Sequence, residues 1–210
     1  MAALKKCPVP VDIAFLLDSS GSIGEANYRK MKDFVKAVAN TFIIGSGKTL
    51  AALILYGDTA TTAIRFSDHA NNADFDAAVD VLSYLGGETR IDKALQLAST
   101  ELLTERSGAR VGVAKVVILV TDGRRSRAPD GVELHKAAKP ILSAGVRLFA
   151  VGIGTEVDEK ELQLIVDRRD DVILVPSYNG LATRVRQLSI ATCESSGKTS
   201  IISLNSSYIF

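Results

Sequence analysis

The sequence is short of the residues from which most catalytic centres are built: it holds two histidines and two cysteines in 210 residues. His69 and His135 stand far apart with no cysteine pair or nucleophile pattern beside either, which argues against imidazole catalysis and against a cysteine–histidine zinc site. Long hydrophobic runs are missing too, since no segment approaches the roughly 20 apolar residues that a bilayer requires. The opening Met1-Ala2-Ala3-Leu4-Lys5-Lys6 lacks the apolar core of a secretory signal and reads as a trimmed or engineered start. Charge is nearly balanced, with a net value of +1. A chain so balanced exerts no long-range attraction on nucleic acid or anionic lipid, so neither partner is expected. No internal repeat appears at any solenoid period. On number alone, Cys7 and Cys193 fit either reduced thiols in a cytosolic protein or one bridge in an oxidising compartment.

What is present is an apolar fraction of 47%, enough to fill the core of one α/β-sized domain. Short, almost continuous apolar runs at residues 11–17, 50–56, 115–120, 147–153 and 172–175 predict buried parallel strands. Residues 61–66 follow the second run after a connection too short for a parallel crossover, so they should return antiparallel as an edge strand. Helical spacing marks residues 28–42, 75–85, 91–103, 132–143, 159–166 and 181–190. This alternation predicts a doubly wound, mostly parallel six-stranded sheet with one antiparallel edge strand and helices on both faces. Ligands in such folds bind at the carboxyl ends of the strands, where the strand order reverses.

Two predicted strands end there on an aspartate followed by a glycine-containing turn. One reads Leu17-Asp18-Ser19-Ser20-Gly21-Ser22, the other Val120-Thr121-Asp122-Gly123. Ser20 and Ser22 alternate with Asp18, so their oxygens can converge on one point, and Thr89 adds a hydroxyl from the loop Leu85-Gly86-Gly87-Glu88-Thr89. Taken singly, these are ordinary turn and N-cap residues. Taken together, three loops each deliver an oxygen to the predicted binding edge. Hydroxyl and carboxylate oxygens without thiolate or imidazole make a hard site suited to Mg²⁺, with Mn²⁺ or Ca²⁺ as substitutes and Zn²⁺ disfavoured. Two carboxylates balance the ion's charge, and the neutral hydroxyls leave room for water or an incoming acidic group.

Asp18-Ser19-Ser20-Gly21-Ser22, Thr89 after Gly86-Gly87, and Thr121-Asp122-Gly123 resemble the metal-ion-dependent adhesion site, or MIDAS, of the von Willebrand factor type A domain. The resemblance extends over the whole strand and helix order from Cys7 to Cys193, and it is nearest to the modules of matrilins and nonfibrillar collagens. It implies a Rossmann-like fold, no enzymatic activity, a secreted extracellular-matrix location, and metal-dependent binding of a matrix protein such as a collagen. Ser20 and Ser22 would touch the ion directly and Asp18 would act through water. Thr89 and Asp122 would exchange direct and water-mediated roles with ligand state. The resemblance divides the chain into an N-terminal extension (1–6), the domain (7–193) and a flexible tail or linker (194–210). The expected strand order brings Cys7, before the first strand, and Cys193, after the last helix, to the edge opposite the metal, where a disulfide is expected. Asn205-Ser206-Ser207 in the tail is a glycosylation acceptor pattern.

Other features bear on the partner. Where the family often has a second threonine and a glycine, this chain has Thr89-Arg90-Ile91-Asp92, and Asp92 either caps the following helix or adds charge near the ion. Integrin-type collagen binders carry an extra short helix on the metal face, for which residues 149–158 leave no room. Arg90, Arg124, Arg125 and Arg127 are candidates for a basic rim that pairs with carboxylates of the partner. Gly45-Ser46-Gly47-Lys48-Thr49 looks like half a phosphate loop, but it follows a helix and precedes a strand, the reverse of what phosphate binding requires. Two function classes remain open: a metal-dependent adhesion module, and a structural spacer or assembly module whose metal site is not adhesive.

Overall fold

The computed structural model describes Cys7 and residues 9–195. The chain runs β1 (Asp12–Asp18), α1 (Glu25–Ala39), β2 (Leu50–Tyr56), β3 (Ala60–Ile64), α2 (Asn72–Asp80), α3 (Ile91–Leu97), β4 (Lys115–Thr121), α4 (Leu134–Ser143), β5 (Arg147–Ile153), α5 (Glu159–Gln163), β6 (Val172–Val175) and α6 (Leu181–Ser195). The strands form one six-stranded sheet in the order β3-β2-β1-β4-β5-β6. Only the β2–β3 pair is antiparallel, and β3 is an edge, as expected. The order reverses between β1 and β4, which pair directly, so Asp18 and Thr121 end adjacent strands.

Both faces of the sheet are covered, which is why its central strands read as apolar runs rather than alternations. Ile13, Phe15 and Leu17 point into one layer with Met31, Phe34, Val35 and Val38 of α1 and with Leu181 and Leu188 of α6. Ala14 and Leu16 point into the other, against Ile91, Ala94 and Leu95 of α3 and Ala137, Ala138 and Ile141 of α4. The α1 residues recur at i, i+3, i+4 and i+7 and supply that helix's buried stripe. Each such side chain, fully buried, contributes about 1.5–3 kcal/mol, so a charge at Val35 would break the layer.

Several helix ends differ from the expectation. The helix expected at 75–85 starts earlier, because the Asn71 side chain caps it by accepting from the Asp74 amide, and stops at Asp80. The helix expected at 91–103 gives way after Leu97 to a π-helical turn, Ala98–Leu102. The last helix does not stop at 190 but runs through Cys193 to Ser195, so Cys193 lies inside it. Cys193 is bridged to Cys7, with 5.9 Å between Cα atoms, at the edge of the sheet where β1 begins. Residues 1–6 and 196–210, including Asn205, lie outside the described residues.

Candidate metal centre

The turn after β1 is stitched down by its own backbone and by two neighbouring loops. The Ser19 amide donates to the Tyr56 carbonyl (2.8 Å), prolonging the β1–β2 ladder beyond Asp18. The Leu85 amide donates to Ser19 Oγ (2.8 Å), the Gly86 amide to the Ser19 carbonyl (2.8 Å), and the Gly21 amide to the Gly87 carbonyl (2.8 Å). Gly87 is required at that contact: its φ is +83°, and a Cβ there would fall 2.4 Å from Asp58 Oδ1. The Tyr84 hydroxyl donates to the Ser20 carbonyl (2.9 Å). The loop before α3 is therefore fastened to the serine turn before any ion is considered.

On this frame the candidate oxygens converge. Ser20 Oγ and Ser22 Oγ lie 3.3 Å apart, and Ser22 Oγ donates to Asp122 Oδ1 at 2.7 Å. Ser22 Oγ and Thr89 Oγ1 both border Gly123, at 3.6 and 3.8 Å from the place a Cβ would take. Thr89 is held from behind by Ser126: its amide donates to Ser126 Oγ (3.0 Å), while the Ser126 amide donates to the Thr89 carbonyl (3.0 Å). Asp18 lies beneath, fully buried, accepting from the Ser20 amide (2.9 Å) and from Thr121 Oγ1 (2.6 Å). One residue of this arrangement has no signal in the sequence: Tyr178, in the turn before α6, donates from its hydroxyl to Asp122 Oδ2.

The arginines divide. Arg124 is exposed and has no ion pair among the described residues, and Arg127 is 82% exposed with its guanidinium 4.0 Å from Glu161. Arg90 is no rim residue: it is 3% exposed, forks onto both oxygens of Asp92 (2.9 Å each) and reaches Asp130 at 2.8 Å. Arg125 is likewise engaged, by Glu133 (2.8 Å), Glu161 (3.4 Å) and the Val132 carbonyl (3.3 Å). Guanidinium groups buried among carboxylates cannot also serve a partner without leaving those carboxylates unpaired. Asp92 lies in the first turn of α3, one residue into the helix from Ile91, and Arg90 before it makes no side-chain cap bond. It accepts from Arg90 and from the Val132 amide (3.0 Å), tying α3 to the loop after β4. Burial alone would raise its pKa; Arg90 and that amide offset this and hold it below the ordinary carboxylate range.

The sequence profile of the von Willebrand factor type A domain matches residues 12–187. The chain belongs to that family. Human collagen alpha-1(XX) chain is 37% identical over 165 residues, covering 79% of this chain and 12% of its own length. Mouse matrilin-1 is 31% identical over 189 residues, covering 88% of this chain and 37% of its own. This type A chain thus spans a minor part of the relatives it matches. The solved structure of proximal thread matrix protein 1 from the mussel byssus, with a zinc-occupied MIDAS motif, superposes with a TM-score of 0.81 at 29% identity, covering 90% of this chain and 47% of that one. Zinc, which softness alone disfavours for such oxygens, occupies the motif in that relative. These relatives are secreted proteins of the extracellular matrix, and this type A domain, bridged at Cys7–Cys193, shares that compartment. No helix among the described residues is long and apolar enough to cross a membrane.

The donor set of the domain fits a small divalent ion. Among the described residues no group of three His, Cys, Asp or Glu assembles, so hydroxyls must supply part of any coordination sphere. An octahedral ion with oxygens at about 2.0–2.1 Å has ligand edges of about 3 Å. The Ser20–Ser22 separation of 3.3 Å and the Ser22–Asp122 separation of 2.7 Å bracket that edge.

Burial pushes the Asp18 carboxyl up to about 6 from an ordinary 3.8, against the hydrogen bonds from Thr121 and Ser20, with Asp122 adding a smaller push in the same direction. A raised carboxyl destabilises the fold as it ionises. Between pH 4 and pH 6 the unfolded chain releases this proton while the folded domain keeps it, so stability from this group falls as pH rises through that window. The full loss is about 3 kcal/mol. Urea unfolding from pH 4 to 7 in chelator should show the decline, and Asp18→Asn should lack it. Saturating magnesium should abolish it, because the ion requires the ionised form.

Proposed function

We propose that this domain is a matrix adhesion module that binds an acidic group of an extracellular matrix protein, a collagen or collagen-like chain, through a divalent ion. Mg²⁺ is the ion assigned, with Mn²⁺ or Ca²⁺ as substitutes. Ser20, Ser22, Thr89 and Asp122 would hold it, with Asp18 beneath acting through water. The observation that carries the reading is that oxygens from three separate loops converge at an edge where Ser22 is exposed and Asp122 is half-buried. A surface site of this kind admits a side chain projecting from a macromolecule. When bound, the ion supplies a positive point at which a carboxylate can replace water; the chain's own residues preset the oxygens around that point and exclude the partner from their undersides.

The reading is non-enzymatic. A cavity of about 620 Å³ opens elsewhere, among Arg65, Thr100, Glu101, Thr104, Arg106 and Ser107, and none of these is a candidate ligand. Among the described residues, no general acid, lysine or phosphate loop accompanies the aspartates at the candidate metal edge. Residues 154–158 alone join β5 to α5, so the additional helix of integrin-type collagen binders is absent there and a collagenous partner would dock by a different route.

Thr89→Ala should weaken the matrix partner at least tenfold while changing ion affinity far less, because Thr89 is assigned direct contact mainly in the ligand-bound arrangement. The double variant Arg124→Ala/Arg127→Ala should leave ion affinity unchanged, slow association by about threefold or more and flatten its salt dependence, since exposed rim charges act chiefly by steering. Surface-based kinetics against a panel of matrix proteins, in magnesium and in chelator, measures both. Partner binding that survives chelator or Thr89→Ala intact would replace adhesion through the metal with the spacer reading.

A further inference from the structure

Every carboxylate oxygen at the metal centre already has a hydrogen-bond donor. Asp18 Oδ1 accepts from the Ser20 amide and its Oδ2 from Thr121 Oγ1. Asp122 Oδ1 accepts from Ser22 Oγ and its Oδ2 from the Tyr178 hydroxyl. Three of these donors belong to the serine turn or to the end of β4, but Tyr178 comes from the far side, out of the turn Tyr178–Gly180 that precedes α6. That turn is closed by the Gly180 amide on the Ser177 carbonyl (2.9 Å), and a Cβ at Gly180 would meet Val175 Cγ1 at 2.8 Å. The Tyr178 ring packs against the core layer shared by α1 and α6. Its hydroxyl is therefore aimed at Asp122 by packing as well as by the bond itself.

We propose that Tyr178 determines which divalent ion the site accepts, by confining Asp122 to coordination through one oxygen. The inference rests on the metal-binding reading above and adds a selectivity residue to it. Calcium takes six to eight oxygens at about 2.3–2.6 Å and commonly draws two from one carboxylate, whereas magnesium takes six at about 2.0–2.1 Å and is satisfied by single oxygens and water. Ser22 on Oδ1 and Tyr178 on Oδ2 fix how the Asp122 carboxylate is turned; each oxygen keeps a free lone pair, so Oδ1 can meet an ion while the Ser22 bond stands, whereas turning both oxygens onto one ion would draw Oδ2 off the phenol. The large ion loses ligands that the small one does not use.

The test is calorimetric titration of the domain and of Tyr178→Phe with magnesium chloride and with calcium chloride. The phenylalanine keeps the ring and removes only the hydroxyl. The ratio of magnesium to calcium affinity should fall about tenfold in the variant, the scale at which partners of metal ligands act. An unchanged ratio overturns the proposal, whether both affinities hold or both fall together, because Tyr178 then only orients Asp122. Failure of the unmodified domain to bind either ion removes the metal reading itself, which is a different result. A second measurement covers a variant that misfolds. The chain has five tyrosines and no tryptophan, so tyrosine absorption is readable in the unmodified protein. Saturating calcium and saturating magnesium should leave the near-ultraviolet tyrosine bands alike, because Asp122 keeps its bond to the phenol with either ion. A blue shift in calcium alone would show Oδ2 leaving the phenol for the ion and would overturn the assignment.

Discussion

Asp122→Ala and Asp18→Ala should each abolish divalent-ion binding while leaving the domain folded. Each removes about half of the negative charge that balances the ion, and neither touches the apolar layers on the two faces of the sheet. The two variants should differ in stability. Asp122 is half-exposed, so its loss returns Ser22 and Tyr178 to water at little cost. Asp18 is fully buried, and its loss leaves the Ser20 amide and the Thr121 hydroxyl without their acceptor, at about 1–3 kcal/mol for an unsatisfied group. Removing a carboxyl that ionises unfavourably offsets part of that at neutral pH. Calorimetric titration with magnesium, beside thermal melts in chelator, separates the effects. Undiminished magnesium binding by either folded variant would sink the site assignment.

The second large effect belongs to the opposite edge. Reducing the Cys7–Cys193 bridge, which closes a sequence separation of 186, should lower stability by about 5 kcal/mol in the chain-entropy model. For a domain of this size that is a fall in melting temperature of roughly 10 °C or more. Ion affinity should stay the same in protein that remains folded, because the bridge and the metal edge lie at opposite ends of the strands. Scanning calorimetry with and without reductant measures the loss, and alkylation under native conditions should find neither of these two thiols free. Two alkylatable thiols would defeat it.

The parts of this fold that could be read from sequence are those where burial dictates residue type. Runs at 50–56 and 147–153 coincide with β2 and β5, because strands covered on both faces have no room for polar alternation, and the run at 172–175 coincides with β6, an edge strand whose Leu174 is exposed. Helix ends were less legible, and for definite reasons. Leu82 and Tyr84 carry the apolar spacing of α2 beyond Asp80, yet they pack on the core from a non-helical segment that must turn to reach Ser19. α6 runs past 190 because Ala191 and Cys193 still pack on the core, and Arg147 holds the final turn through the Ala191 carbonyl (3.3 Å) and Ser195 Oγ (2.9 Å).

The candidate metal centre divides in a similar way. Asp18, Ser20, Ser22, Thr89 and Asp122 lie at strand ends and glycine turns, where a short motif fixes both residue type and place. The burial of Arg90 depends on Asp92 and on Asp130 from a different loop, a charge balance that no local pattern announces. Tyr178 is 56 residues from Asp122 and belongs to no recognisable motif, so only the packing of the last turn against the sheet brings it there.

The 5.9 Å between the Cα atoms of Cys7 and Cys193 also sets how the domain would carry mechanical load. Tension applied to the chain before Cys7 and after Cys193 would pass from one cysteine to the other through a covalent bond, without crossing the sheet. The six strands and the oxygens at their far end hang beside the force path rather than in it. Under such tension the domain would keep those oxygens assembled, and only reduction of the bridge would bring the strands under strain.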